Sequence, residues 1–219
     1  MLIAILLAAG ASARAGEDKA LADIGGRPMV RWAAERLAAE PRVDGLLVIE
    51  RKGKHAVSEA VRGVPKLIGA WPGGETRADS VRSALRASVG ADAVLVHDAA
   101  RPFVDAETIA RVLDAFGRDG AAAAALPVAD TLRRGEGDWA GEILERDGVW
   151  TMQTPQAFGR ADLQRAYEAV ADATDCAAAG VAAGIRVRLV RGHPLNFKIT
   201  TPEDLAFARA LAGKGVVHP

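Results

Sequence analysis

Short apolar runs alternate with longer amphipathic segments along nearly the whole chain. Several of the runs are continuous rather than alternating, as expected for strands that are covered on both faces of a sheet. The segments between them repeat apolar residues at spacings of three and four, which is the pattern of a helix that buries one side. We therefore predict strands at LIAILLA (2–8), DGLLVIE (44–50), DAVLVHD (92–98), AAAALPV (122–128) and IRVRLV (185–190).

The helical segments are predicted from their apolar stripes and from their starting residues. Stripes lie at 81–88, 109–116 and 163–170. Pro28 suits the first position of a helix, and Thr201 suits an N-cap that is followed by a proline and an acidic third residue. The alternation of strands and helices predicts the α/β class, as a single Rossmann-like three-layer domain over residues 1–219 with a mostly parallel sheet.

One stretch breaks this alternation, namely DTLRRGEGDWAGEILERDGVWTMQT at about 130–154. It contains a Gly-rich polar turn at 135–141, and the segments on either side could pair as a hairpin. We predict a β-arm that projects from the domain.

Composition narrows the class of protein. Lys plus Arg equals Asp plus Glu at 28 each, so no global positive field would attract nucleic acid or an anionic membrane. Aromatic residues make up only 5%, which favours a polar ligand. Cys176 is the single cysteine, no Cys/His group has zinc spacing, and no apolar run approaches the ~20 residues of a membrane span. These features predict a cytoplasmic protein.

The first twenty residues, MLIAILLAAGASARAGEDKA, allow two interpretations. They could be a secretory signal with a small-residue cleavage site, or a buried strand that leads into a phosphate-binding loop. No Lys or Arg precedes Arg14, and the apolar run is short for a signal, so we favour the strand and loop.

The loop after this first strand has small residues that allow close backbone approach, one hydroxyl and two cations. It lacks the Gly-Lys-Ser/Thr of a Walker A loop and the full dinucleotide-binding pattern. By themselves, these residues fit a phosphate loop or a small-residue turn with two solvated cations. The candidate loop residues are Ala8, Ala9, Gly10, Ala11, Ser12, Arg14 and Lys19.

The loop pattern A-A-G-x-x-x-R, followed by a lysine, resembles that of nucleotidyltransferases acting on sugar or polyol phosphates. Four further stretches resemble, in the right order, the 2-C-methyl-D-erythritol 4-phosphate cytidylyltransferases of the non-mevalonate isoprenoid pathway. They are GGETRADSVRSAL (73–85), VLVHDAARPFV (94–104), WTMQTPQAF (150–158) and NFKITTPEDLAFA (196–208). The resemblance covers nearly the whole chain. It implies cytidylyl transfer from CTP to 2-C-methyl-D-erythritol 4-phosphate, with release of pyrophosphate.

The resemblance also implies roles for individual residues. The catalytic cations would be Arg14, Lys19 and Lys198. Nucleotide contacts would come from Ala8, Ala9, Gly10, Ala11, Ser12, Gly74, Glu75, Ser80, Asp98 and Ala99. Contacts to the polyol phosphate would come from Asp98, Arg101, Thr131, Arg146, Thr154, Thr174 and Lys198.

Cofactor and partner also follow from the resemblance. Mg²⁺ would be held mainly by the CTP phosphates, with Asp98 as the candidate protein ligand. In the family the arm completes the pocket of a second subunit, so a homodimer through 130–154 is expected.

The implied reaction needs little general-base catalysis, because a phosphate monoester has a second pKa of about 6 and is already ionised. The barrier is repulsion between two anionic groups. Positioned cations are therefore the expected source of catalysis.

Other assignments stay open at this point. The Arg14–Lys19 spacer is two residues shorter than is usual in the family and is closer to that of molybdenum-cofactor nucleotidyltransferases. Ribitol 5-phosphate cytidylyltransferases share several motifs, and a nucleotide-sensing regulatory module is the non-enzyme alternative. Asp98 could cap a turn, Ser80 could open a helix, and Arg77 could face solvent.

Overall fold

Seven strands form one central sheet in the computed structural model, which describes residues 1–10 and 19–217. The strands are β1 (Leu2–Leu7), β2 (Asp23–Ile24), β3 (Arg27–Pro28), β4 (Gly45–Glu50), β5 (Leu67–Pro72), β6 (Ala93–Asp98), β7 (Ala121–Pro127), β8 (Leu132–Glu136), β9 (Trp139–Leu144), β10 (Trp150–Gly159) and β11 (Arg188–Arg191). The α-helices are α1 (Met29–Ala39), α2 (Ala56–Ala60), α3 (Arg77–Ala87), α4 (Ala106–Asp119), α5 (Arg160–Ala169), α6 (Cys176–Ala182) and α7 (Pro202–Gly213), and Lys19–Leu21 forms a 3₁₀ turn. Within the described ranges, none of the helices combines the length and the apolar character that crossing a bilayer requires.

The central sheet has the order β11-β7-β10-β6-β1-β4-β5. Strand β1 lies between β4 and β6 and is parallel to both, and β4–β5 and β7–β11 are also parallel. Strand β10 is antiparallel to both of its neighbours. The predicted α/β class with a mostly parallel sheet is confirmed. The opening apolar run is a central strand, as the second interpretation of that segment predicts.

Helices cover both faces of the sheet, because successive side chains of a strand point to opposite faces. Ala4 and Leu6 of β1 pack with α1, α2 and α4, whereas Ile3 and Ile5 pack with α3, α5 and α6. Helix α7 closes a smaller aromatic cluster that includes Trp32. These are the three layers that the continuous apolar runs predict.

Element boundaries differ from the prediction at several places. The last strand, β11, begins at Arg188 rather than Ile185, and the short strands β2 and β3 were not predicted. Strand β5 was not predicted, because Gly69 interrupts its short apolar run and it lies half-exposed at the edge of the sheet. Pro28 is the N-cap of α1 rather than its first residue, since it pairs with Asp23 in extended backbone. The N-cap at Thr201 is confirmed, with a complete capping box.

The predicted arm contains a hairpin that is separate from the central sheet. Strands β8 and β9 pair only with each other in the part of the chain that the structure describes, and the Trp139 side chain is 82% exposed. The range 130–154 also takes in the first residues of β10. Those residues belong to the central sheet, where Gln153 and Thr154 are buried.

Candidate active site

A cleft of about 470 Å³ opens at the carboxyl ends of β1 and β6. The chain runs from β1 outward through β4 to β5 and then returns to β6 on the other side of β1. Such a switch point is where open α/β sheets bind ligands. The predicted site residues that line this cleft are Ala8, Ala9, Gly10, Lys19, Gly74, Glu75, Ser80, Asp98, Ala99 and Lys198. The predicted contacts Ala11, Ser12 and Arg14 lie outside the described residues.

Asp98, the last residue of β6, lies between two cations. Its Oδ2 accepts a hydrogen bond from Lys198 Nζ at 2.9 Å. Its Oδ1 accepts from Nε and Nη2 of Arg77, at 3.2 and 3.0 Å. Burial alone would raise the pKa of the Asp98 carboxyl, but the charges of Arg77 and Lys198 outweigh burial and hold that pKa well below its ordinary value. Asp98 is therefore ionised and accepts hydrogen bonds. Together, Asp98, Arg77 and Lys198 form the Asp98 cluster, which has a net charge of +1.

Two lysines from opposite ends of the chain converge on this cleft. Lys198 is in the segment between β11 and α7, and the Ile199 amide donates to the Ala100 carbonyl at 2.8 Å, which ties that segment to the end of β6. Lys19 donates from Nζ to the carbonyl of Thr200, and Thr200 is two residues after Lys198 in the sequence. Lys19 thus lies in the cleft, although the spacer between Arg14 and Lys19 is short in the sequence.

The opposite wall is formed by a glycine pair and the start of α3. The Gly74 amide donates to Ser80 Oγ at 3.2 Å, and Ser80 is buried. A Cβ at Gly74 would lie 2.2 Å from Cβ of Asp79, so only glycine fits there. A capping box of Thr76 and Asp79 starts the helix. This wall offers backbone groups and one hydroxyl, which suit the recognition of a base edge by directed hydrogen bonds.

Thr154, predicted to contact the polyol phosphate, is buried below the cleft rather than lining it. Its Oγ1 accepts from the Asp98 amide at 3.1 Å and lies 3.0 Å from Nδ1 of His97. The other ring nitrogen, Nε2, is 3.0 Å from the Arg101 carbonyl, which can only accept. We therefore assign the proton to Nε2, so that Nδ1 accepts from the Thr154 hydroxyl. This chain of hydrogen bonds fixes the backbone that carries Asp98.

The remaining predicted substrate contacts are not among the described residues that line the cleft. Arg101 is half-buried and donates to the carbonyls of Asn196 and Met152. Arg146 donates to the Ala129 carbonyl at the base of the hairpin. Two others are exposed, Thr131 before β8 and Thr174 before α6. Their predicted contacts stay predictions.

Arg77 was missed by the sequence analysis, and the interpretation that it faces solvent is wrong. Its side chain is only 21% exposed, lines the cleft and binds Asp98. The usable signal was the T-x-x-D pattern at 76–79, which places Arg77 at the first position of α3. That position follows the glycine pair at the carboxyl edge of the sheet.

The donor set also bears on the expected Mg²⁺. Among the described residues no group of three or more His, Cys, Asp or Glu side chains could hold a metal ion. Of the carboxylates in the described part of the chain, Asp98 and Glu75 line the cleft. Mg²⁺ commonly takes one or two carboxylates and completes its shell with substrate phosphates and water. The residues present fit an ion held mainly by phosphates, because Asp98 already contacts two cations.

Buried His97 gives a prediction for the pH dependence of stability. Burial lowers its pKa from 6.5 to about 4, so between those values the unfolded chain binds more protons than the folded one. The free energy of unfolding should therefore fall as pH falls below 6.5, with this group contributing about 2 kcal/mol between pH 7.5 and pH 5. Urea denaturation at both pH values checks this.

The variant His97→Gln should lose most of that pH-dependent difference. His55→Gln is the control: it removes an exposed histidine that lies 3.3 Å from Oε1 of Glu50 and leaves His97 in place, so it should keep most of the wild-type difference. An unchanged pH dependence in His97→Gln would contradict the prediction.

Comparisons with known proteins identify the family to which this sequence is similar. The family profile described as 2-C-methyl-D-erythritol 4-phosphate cytidylyltransferase matches residues 2–214. A bifunctional enzyme IspD/IspF from Anaeromyxobacter dehalogenans is 49% identical over 222 residues, covering 96% of this chain and 56% of that protein. A 2-C-methyl-D-erythritol 4-phosphate cytidylyltransferase from Deinococcus radiodurans is 45% identical over 216 residues, covering 96% of this chain and 89% of that protein.

A solved structure agrees over its full length. The crystal structure of 2-C-methyl-D-erythritol 4-phosphate cytidylyltransferase from Thermus thermophilus matches with a TM-score of 0.82 at 38% identity, covering 97% of this chain and 100% of that one. The chain spans a little over half the length of the bifunctional relatives that it matches, at 56% of each of the first two.

Proposed function

Because this chain belongs to the 2-C-methyl-D-erythritol 4-phosphate cytidylyltransferase family, we propose that it transfers the cytidylyl group of CTP to 2-C-methyl-D-erythritol 4-phosphate. The observation that supports this most directly is the convergence of Lys19, Lys198 and Asp98 in one cleft at the switch point of the sheet. Such a cleft is suited to gathering phosphates, and the adjoining Gly74–Ser80 wall is suited to holding a base.

In the proposed reaction an oxygen of the acceptor phosphate forms a bond to the α-phosphorus of CTP. The bond from that phosphorus to the bridging oxygen breaks, and pyrophosphate leaves with the electron pair. Lys19 and Lys198 lower the repulsion between the two anions and stabilise the charge that develops around the α-phosphorus. Asp98 accepts a hydrogen bond from a substrate hydroxyl. No protein base is required, because the attacking oxygen is already ionised.

Mg²⁺ is proposed as the metal cofactor, with Asp98 as the side chain that would hold it beside the phosphates. When bound beside Asp98, such an ion would supply positive charge to the phosphates. Adding EDTA should abolish pyrophosphate release, and excess Mg²⁺ should restore it.

A substrate panel tests the proposed activity. CTP, GTP and ATP are each combined with methylerythritol phosphate or ribitol 5-phosphate and Mg²⁺, and pyrophosphate is measured. We expect release with CTP and methylerythritol phosphate. Release only with ribitol 5-phosphate, or only with GTP and a pterin acceptor, would move the chain to a neighbouring function. Nucleotide binding without release from any pair would favour the nucleotide-sensing module.

A homodimer that shares its sites is proposed together with this activity. Arg146 and Thr131 flank a hairpin that projects from the domain, and neither lines the cleft of its own chain. That placement supports the proposal that the hairpin completes the site of a partner copy. A cytoplasmic location stays a prediction from the sequence.

Mixing two inactive variants tests this arrangement. Lys19→Ala damages the cleft and Arg146→Ala damages the hairpin. In a mixed dimer one site then receives both lesions and the other receives neither, so mixing should restore part of the activity. Size-exclusion chromatography with differently tagged chains should first show that subunits exchange. Exchange without any recovered activity would contradict a shared site.

A further inference from the structure

We propose that Arg77 is a positioning residue that keeps the Lys198 ammonium available to the reacting phosphates. It does so by competing for the carboxylate of Asp98, which would otherwise pair with Lys198 alone. The inference rests on the proposed function and concerns a residue that neither the motif analysis nor the resemblance assigned to the site.

The competition follows from the division of the carboxylate between the two cations. Arg77 donates twice to Oδ1 of Asp98, and Lys198 donates once to Oδ2. One negative charge is thus shared by two positive charges, and the cluster retains a net charge of +1. Without Arg77, Asp98 and Lys198 would form a neutral pair beside the substrate. Lys198 would then contribute less to stabilising an anionic transition state.

The guanidinium of Arg77 is held in place from its other side. Its Nη1 lies 4.0 Å from Cys176 Sγ, and the Tyr167 hydroxyl donates to the same sulfur at 3.6 Å. Tyr167 of α5 and Cys176 of α6 are both buried. These contacts restrict the orientation of the Arg77 guanidinium, and its two hydrogen bonds then hold Oδ1 of Asp98 in place.

A purely structural role for this ion pair is the competing explanation. A buried ion pair is weak evidence for stabilisation, since desolvation of the charges offsets their attraction. The two explanations differ in the quantity that changes. Loss of a structural contact lowers stability, whereas loss of charge sharing lowers turnover without weakening the binding of CTP. CTP binding is spared because the Gly74–Ser80 wall is held by the Ser80 hydroxyl and by the capping box of α3 rather than by the Arg77 side chain.

Arg82 provides a matched control on the same helix. Its side chain is 25% exposed, close to the 21% of Arg77, and it donates to the carbonyls of Tyr167, Val170 and Ala171. It also donates to Oδ1 of Asp79 at 3.0 Å, whereas the capping box with Thr76 uses Oδ2 of Asp79 and the Asp79 amide, so the capping box does not depend on Arg82. It does not line the cleft. Arg82→Gln thus removes a half-buried arginine from α3 and leaves the Asp98 cluster intact.

The test compares Arg77→Gln, Arg77→Lys and Arg82→Gln. For each variant we would measure kcat and KM for both substrates by pyrophosphate release, the Kd of CTP by calorimetry, and the free energy of unfolding. Arg77→Gln should lower kcat about 10- to 100-fold and change the Kd of CTP less than about threefold. Arg77→Lys restores the positive charge and should recover most of the kcat. Arg82→Gln should lower stability and keep wild-type kinetics.

Three outcomes would overturn the inference. The first is a kcat in Arg77→Gln equal to that of Arg82→Gln. The second is a loss in Arg77→Gln that appears in the Kd of CTP rather than in kcat. The third concerns an Arg77→Lys variant whose denaturation curve shows that it is folded, and it is a kcat no higher than that of Arg77→Gln. If Arg77→Gln does not fold, the corresponding outcome is a kcat of Arg77→Lys that stays well below the wild-type value. Inactive wild-type protein would instead refute the proposed function itself.

Discussion

Replacing Lys198 with methionine is expected to lower kcat for pyrophosphate release by about 10²- to 10³-fold, the cost of removing one well-placed donor from a charged transition state. Lys198 lines the cleft and its side chain is 42% exposed, so it can reach a phosphate while it contacts Asp98. Methionine keeps much of the length of the side chain and removes the charge. Steady-state kinetics with saturating CTP measure the effect.

Folding should survive this substitution, because Arg77 still neutralises Asp98. Lys198→Arg keeps the charge and should retain more activity than Lys198→Met. Lys214→Met, at an exposed lysine after α7, is the control for simple loss of a positive charge and should behave as wild type. Equal kinetics in Lys198→Met and Lys214→Met would show that Lys198 does not act on the reacting phosphates.

Replacing Lys19 with methionine should have an effect of similar size, about 10²- to 10³-fold in kcat/KM for CTP. Lys19 lines the cleft on the phosphate-loop side and donates to the Thr200 carbonyl. Lys19 begins a short 3₁₀ turn outside the central sheet and lines the open cleft, so replacing its side chain should leave the fold intact. Calorimetry measures the contribution of Lys19 to CTP binding, and pyrophosphate release measures its contribution to turnover.

The control for Lys19 is Lys54→Met, an exposed lysine in the loop that follows β4. It removes a positive charge from the same edge of the sheet without altering the cleft, and it should cost less than about threefold at moderate salt. A near-normal rate in Lys19→Met would mean that another cation holds the triphosphate, and that the shortened loop has changed the role of Lys19.

Sequence patterns predicted the fold well where burial imposes a regular period. The five predicted strands all occur. Strands β1, β4, β6 and β7 are covered on both faces and therefore need continuous apolar runs, whereas β11 is an exposed edge strand whose apolar residues lie between arginines. Strand β5 escaped prediction because an edge strand is only half covered and tolerates Gly69 and Pro72. The predicted arm, 130–154, also takes in the start of β10, because WTMQT fits a hairpin as well as a strand of the central sheet.

By itself the sequence determined the α/β class, the family and most of the residues that meet in the cleft, because strand ends and motif residues are local features of the chain. Only the tertiary structure decided how those residues share their charges. Asp98 contacts Arg77 and Lys198, which are 21 and 100 positions away, and its amide bonds Thr154, which is 56 positions away. Spacing along a chain cannot fix such long-range contacts. They depend on the order of the strands, on the capping of α3, and on burial, because a buried charge is costly unless an opposite charge pairs with it.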